Sequence, residues 1–235
     1  MPTPRRRVRA RRPRPRRDAA ASRARILEAA AAEFAERGFA AAGVDRIARR
    51  ARLNKAMIYY HFPSKAALYQ EILREMFRAV GDRVRALAAS ARRPEEKIRE
   101  FPAIIAGEAE QRPYFASIML RELAEKGRHL DRETLGALAL VPATFHQIVR
   151  DGQRDGRLAA ADPLLTYFAM MGPLMLFVGS APLRAQLARL GVPALQEVNL
   201  QALVEHLQEI SGWLLHGGGR RQKAKGSVAD GDTRG

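Results

Sequence analysis

Between residues 22 and 216 large apolar side chains return every three or four positions, and no apolar–polar alternation of useful length replaces that spacing. The chain therefore has to fold from helices, an all-α architecture of about nine. Ile26, Leu27, Ala30 and Phe34 share one face of a first helix, with Ser22 as its cap and Gly38 as its left-handed stop. Val44, Ile47, Ala48 and Ala51 follow at i, i+3, i+4 and i+7, a second helix of about two turns. Leu53-Asn54 makes a turn and Asn54 is placed to cap a third helix. Pro63 breaks the chain and Ser64 caps a fourth, longer helix with Leu68, Ile72, Met76 and Val80 inward. Beyond Arg93, Pro94, Pro113 and Pro163 mark helix starts. The spacing predicts helices over 94–108, 113–126, 131–150, 162–179 and 194–216, with a short turn near 181–189.

Charge divides the chain more sharply than hydropathy does. Of the net +16, residues 1–22 carry nine arginines against Asp18, whereas residues 63–219 are close to neutral. That is a polyanion-binding end on an ordinary body. Arginine and proline without large apolar side chains cannot offset ordering entropy, so 1–21 reads as a disordered arm and 217–235 as a disordered tail. The expected organisation is a DNA-binding domain over 22–69, with its linking helix running to about 90, and a larger C-terminal domain over 91–216. Absence of cysteine excludes disulfides and thiolate sites and fits a reducing compartment, the cytoplasm with nucleoid association. Arg23, Arg25, Glu28 and Glu33 interrupt any signal-peptide core, and the most apolar run, Leu164 to Val178, is broken by Gly172-Pro173. No membrane partner is expected.

The segment from Asn54 to Phe62, followed by Pro63-Ser64-Lys65, sets the function. Two short helices joined by a tight turn form a helix-turn-helix, whose second helix enters the major groove. Val44, Ile47, Leu53, Ile58 and Phe62 suit the inside, against Phe34 and Leu68. Asn54, Lys55, Ala56, Met57, Tyr59, Tyr60 and His61 are left for DNA. Lys55 suits a guanine edge, Asn54 an adenine or the cap, and Ala56 and Met57 a thymine methyl. Tyr59, His61 and Lys65 suit phosphates, which fix register without reading sequence. Arg46 joins them as a DNA contact, and with Arg49, Arg50 and Arg52 it adds backbone charge.

Residues 23–69 resemble the N-terminal domain of TetR/AcrR-family transcriptional regulators. The resemblance is carried by Ile26-Leu27, Ala30, Phe34, Gly38-Phe39, Ile47-Ala48, Ala51, Tyr59-Tyr60-His61-Phe62, Lys65 and Leu68. It implies a dimeric, all-helical bacterial regulator with a three-helix DNA-binding domain and a divergent second domain that often binds a small ligand. Three departures stand out. Ala42 and Gly43 occupy the place of a Thr/Ser pair that caps the second helix, Arg52 stands where a turn glycine is common, and Ala56 where another glycine often opens the recognition helix.

In the second domain, Phe101, Ile105, Phe115, Met119, Phe145, Phe168 and Met171 are candidate lining residues for a small apolar or amphipathic ligand, since aromatics and methionine make adaptable walls. Leu164, Leu165, Leu200, Leu203, Val204, Leu207, Ile210 and Leu214 lie on apolar faces of the last two long helices, suited to a four-helix dimer interface. The five histidines, His61, His129, His146, His206 and His216, lack metal spacing. Arg121, Glu122, Glu125 and Lys126 read as solvated helix charges. No nucleophile–base order, glycine-rich phosphate loop or paired carboxylates appear, so no enzyme, cofactor or metal is expected. The expectation is a ligand-responsive repressor binding double-stranded DNA at a palindromic operator as a homodimer. A constitutive regulator or activator, and a nonspecific nucleoid-type or RNA-binding protein using the arginine arm, are the alternatives.

Overall fold

The computed structural model describes residues 16–192 and 194–216, so the proposed disorder of 1–15 and 217–235 lies outside the described residues. Eleven helical segments occupy them, two more than expected, and no strand occurs among them. They are α1 (Arg16–Ala41), α2 (Val44–Arg50), α3 (Lys55–His61), α4 (Lys65–Ala89), α5 (Pro94–Gln111), α6 (Phe115–Ala124), α7 (Arg132–Arg154), α8 (Pro163–Gly179), α9 (Ala181–Arg189), α10 (Ala194–Glu197) and α11 (Leu200–His216). Contacts gather in two compact units that divide between Tyr69 and Gln70, inside α4.

In the first unit α1 begins at Arg16, so residues 16–21 are helical rather than part of a disordered arm. Ser22 lies inside that helix, where its hydroxyl donates to the Ala19 carbonyl (2.9 Å) instead of capping. Gly38 breaks the helix as its type predicts, at φ 74°, before one more turn to Ala41. Ile26, Ala30, Phe34, Ile47, Ile58 and Leu68 are buried together. Phe34 packs edge-on against Tyr69 (4.7 Å between centroids), and Phe39 closes on the same ring at 5.2 Å.

In the second unit α5 packs on α7, α8 and α11, and α6 packs on α8. Helix starts are fixed by the side chains that satisfy their free N–H groups. Asp131 accepts from the Thr134 amide (2.8 Å), and Asp162 accepts from Leu164 and Leu165 (2.9 Å each). A single helix over 194–216 does not form, because Asn199 caps a fresh start by accepting from the Ala202 amide (2.8 Å). Glu122 is buried, not solvated, and bonds the His129 ring (2.9 Å). Glu108, equally buried, pairs with Arg83 (2.8 Å) and Arg112, and partners of this kind are what let a carboxylate leave water.

Candidate DNA-binding surface and ligand pocket

Two seven-residue helices are too short to hold themselves together, so the first unit fixes them with side chains reaching backbone. Gly43 stands at the N-cap of α2 without a capping side chain. Glu33 of α1 substitutes: its carboxylate is 3% exposed, accepts from the Gly43 amide (3.3 Å) and from Arg46 Nε (2.5 Å), and lies 3.5 Å from Arg37. Arg46 in turn donates to the Ala41 carbonyl, and its guanidinium sits 3.3 Å from where a side chain on Gly43 would begin. Arg46 is therefore committed to the fold rather than free for DNA. Sequence reasoning missed Glu33, although its place at i+7 from Ile26 and i+3 from Ala30 put it on the buried face of α1, where a carboxylate needs a partner.

The turn after α2 is held from the same side. Arg25 Nη2 donates to the carbonyls of Ala51 (2.5 Å) and Arg52 (3.0 Å). Arg52, in the usual glycine position, takes φ 53°, the left-handed region that costs a residue with a Cβ.

Asn54 then caps α3 by accepting from the Met57 amide (2.9 Å), so its side-chain oxygen is already in use. Ile58 anchors the helix in the core. Lys55, Ala56, Tyr59 and Tyr60 face outward, with Tyr60 74% exposed, while Met57 and His61 are half-buried. His61 Nε2 meets Ser22 Oγ at 2.8 Å. Burial, and then the nearby Arg23 charge, lower its pKa from the ordinary histidine value.

Lys65 departs furthest from expectation. Its ammonium donates to the carbonyls of Phe39 (2.9 Å), Ala40 (3.3 Å) and Ala42 (3.2 Å) and lies over the Phe39 ring. It clamps the end of α1. Lys55 pairs with Asp45 (3.1 Å) and Arg50 with Glu36 (2.7 Å). These pairs are exposed, worth little, and readily exchanged for phosphate. Among the described residues, the side chains of Arg49 and Arg52 have no acidic partner.

The second unit holds a cavity of about 220 Å³. Phe115, Met119, Phe168 and Met171 line it, joined by Phe77 and Tyr167. Phe101, Ile105 and Phe145 do not line it, because they are fully buried. They form the packed layer behind it, with the Phe101 and Phe145 rings 4.7 Å apart. Burial alone lifts the Tyr167 phenol to about 12.

The expected interface residues also part ways. Leu164 and Leu165 are exposed, Leu165 by 70%, whereas Val204 and Leu207 are buried in this chain's own core, where α11 packs on α5. A side chain used inside one protomer cannot also cover a second, so those two leave the interface set. Leu200, Leu203 and Ile210 are half-buried, and the Leu214 side chain lies outside the described residues. Helix α9, by contrast, buries no residue, and Leu183 and Leu187 on it and Leu190 just after it are exposed, as are Phe168 and Leu176 on α8. No single described helix is long and apolar enough to cross a membrane.

Residues 26–72 match the model of bacterial regulatory proteins, tetR family. The HTH-type transcriptional repressor NicS of Pseudomonas putida is 29% identical over 68% of this chain and 76% of its own length. The HTH-type transcriptional repressor SCO4008 of Streptomyces coelicolor is 50% identical over 24% of this chain and 29% of its own, a match spanning less than a third of that relative. Among solved structures, the transcriptional regulator FadR from Bacillus subtilis, in complex with stearoyl-CoA, superposes with a TM-score of 0.65 at 18% identity, covering 82% of this chain and 99% of that one.

Proposed function

We propose that this chain, whose residues 26–72 match the tetR family of bacterial regulatory proteins, is a DNA-binding transcriptional regulator and, more closely, a ligand-responsive repressor that binds a palindromic operator as a homodimer. The observation that carries this reading is the outward face of α3, where Lys55, Ala56, Tyr59 and Tyr60 stand exposed on a helix anchored by Ile58. On this reading Lys55 and Ala56 read base edges, Tyr60 reaches a base or sugar, and Tyr59, Arg49 and Arg52 hold phosphates. Asn54, Met57, His61, Lys65 and Arg46 support them from within.

The dimer is proposed along α8 and α9 through the exposed Leu164, Leu165, Leu183 and Leu187, leaving Phe168 and Leu176 to the cavity wall. A ligand in the second-unit cavity would favour a dimer whose two α3 helices no longer match successive major grooves about 34–36 Å apart. It acts only through its difference in affinity for the two states.

Footprinting at physiological salt tests the reading. A discrete, two-fold symmetric protected site is expected, and sequence-indifferent coating of the DNA would replace it with the nucleoid-type alternative. A sharp site that no ligand of the cavity releases would favour the constitutive regulator.

A further inference from the structure

We propose that Tyr167 is the recognition donor of the second-unit cavity, and that the ligand it selects is an uncharged, mostly apolar molecule with one hydrogen-bond acceptor, such as a ketone or ester carbonyl. The inference rests on the ligand-responsive reading and deepens it by naming the ligand's chemistry.

The cavity wall is aliphatic, aromatic, methionine and glycine, and Tyr167 is the one lining residue whose side chain carries an O–H or N–H. No lysine, arginine, histidine or carboxylate lines it. A carboxylate or phosphate brought into this wall would lose its water and meet no cation, a cost of several kcal/mol that the ligand cannot recover. An anionic head group is therefore disfavoured against this wall, the exposed Leu123, Phe168 and Leu176 being where the cavity opens to water.

Tyr167 is only 9% exposed, and its ring is fixed against Phe101 (6.0 Å), Phe145 (5.8 Å) and Phe168 (5.4 Å). Among the described residues no partner within the chain takes up its hydroxyl. A phenol pushed up to about 12 by burial stays protonated at neutral pH, so it meets the cavity as a donor. The hydroxyl is not a fully buried atom, so it stays accessible to a ligand, and a carbonyl that accepts from it gains what an alkane cannot.

Size narrows the class further. A dry apolar cavity of roughly 150 Å³ takes benzene, so about 220 Å³ has room for a ring bearing a substituent of two or three atoms. Gly172, also in the wall, would meet nothing within 4 Å if given a Cβ.

Acetophenone, ethylbenzene and benzoate match this space and differ only in the decisive feature. We would titrate each calorimetrically into the full chain at pH 7 without DNA. Acetophenone is expected to bind, and Tyr167→Phe to weaken it about five- to tenfold, the worth of one hydrogen bond. Ethylbenzene is expected to bind both forms alike, and benzoate at least tenfold more weakly than acetophenone. Met119→Trp, which leaves Tyr167 in place and adds bulk to a part-buried wall position, is expected to weaken binding of all three at least tenfold. The proposal is overturned if Tyr167→Phe leaves acetophenone unchanged, if benzoate equals it, or if none of the three binds at millimolar concentration. Binding with the expected pattern but without operator release would remove the ligand-responsive reading and leave the Tyr167 site standing. Operator release by another ligand, with acetophenone indifferent to Tyr167→Phe, would remove the Tyr167 site alone.

Discussion

The two units use charge in opposite ways. In the first, three of the nine basic side chains over 23–69 are spent on the fold: Arg25, Arg46 and Lys65 hold backbone carbonyls, and Glu33 ties Arg46 to the start of α2. In the second, long helices pack by apolar faces, and the buried carboxylates Glu108 and Glu122 are the exceptions that need partners. Short helices cannot bury enough area to fix themselves, so they depend on directional bonds, whereas helices of 17 to 25 residues do not. A basic residue count therefore overstates the free cationic surface of the first unit, and an apolar residue count overstates the exposed apolar surface of the second.

The sharpest way to break this contrast lies in the second unit. Leu207→Ala should destabilise the fold by about 2–5 kcal/mol, because Leu207 is 4% exposed in the packing of α11 on α5. Leu165→Glu, at an exposed position on α8, should leave monomer stability within about 0.5 kcal/mol and instead shift sedimentation from dimer to monomer. If Leu207→Ala dissociates the dimer without loss of stability, α11 and not α8–α9 forms the interface.

Next in size is the clamp of the first unit. Lys65→Met should cost about 2 kcal/mol, since three carbonyls lose a charged donor while the aliphatic stem is kept. Urea denaturation measures it. An unchanged midpoint, together with a salt slope reduced by about one, would return Lys65 to the role of phosphate contact.

Much of this was legible from the sequence. The helical spacing gave the class, the caps at Asn54, Ser64, Asp131 and Asp162 follow from side chains with a free acceptor, and the segment Tyr59-Tyr60-His61-Phe62 falls on α3 with both tyrosines exposed. What stayed hidden were tertiary choices. Periodicity assigns a residue to an apolar face without saying whether that face meets its own chain, a cavity or solvent, and so Phe145, Phe168 and Leu207 looked alike but are respectively core, cavity wall and helix–helix packing. A cation's partner is likewise invisible when it lies 13 or 26 residues away, as for Arg46 with Glu33 and Arg25 with the Ala51 carbonyl.

Smaller effects separate the arginines of the first unit from one another. Arg49→Ala should lower the slope of log K against log salt by about one while leaving stability unchanged. Arg46→Ala should do the reverse, lowering stability by roughly 1.5–3 kcal/mol through the stranded Glu33 carboxylate and barely moving the slope. Equal slopes for the two variants would mean that Arg46 exchanges Glu33 for phosphate when DNA binds, and the division between structural and DNA-facing cations would fail there.

Arg52 belongs to both sides of that division, and its replacement by glycine carries the smallest expected change. At φ 53° the arginine Cβ costs about 1–2 kcal/mol, which glycine would relieve. Against that, glycine frees the unfolded chain and forfeits about 0.4–1 kcal/mol. The carbonyl bond from Arg25 to residue 52 uses backbone only and survives the change. The net is a gain of at most about 1.6 kcal/mol, centred near 0.8 kcal/mol, read as a higher urea midpoint with an unchanged m-value. If Arg52 also holds a phosphate, the same variant lowers the salt slope by about one, so stability and DNA affinity move in opposite directions at one residue. A variant that loses stability would mean the turn tolerates arginine without strain. A variant that gains stability at full affinity would mean that Arg52 faces solvent on DNA and that Arg49 carries the contact alone.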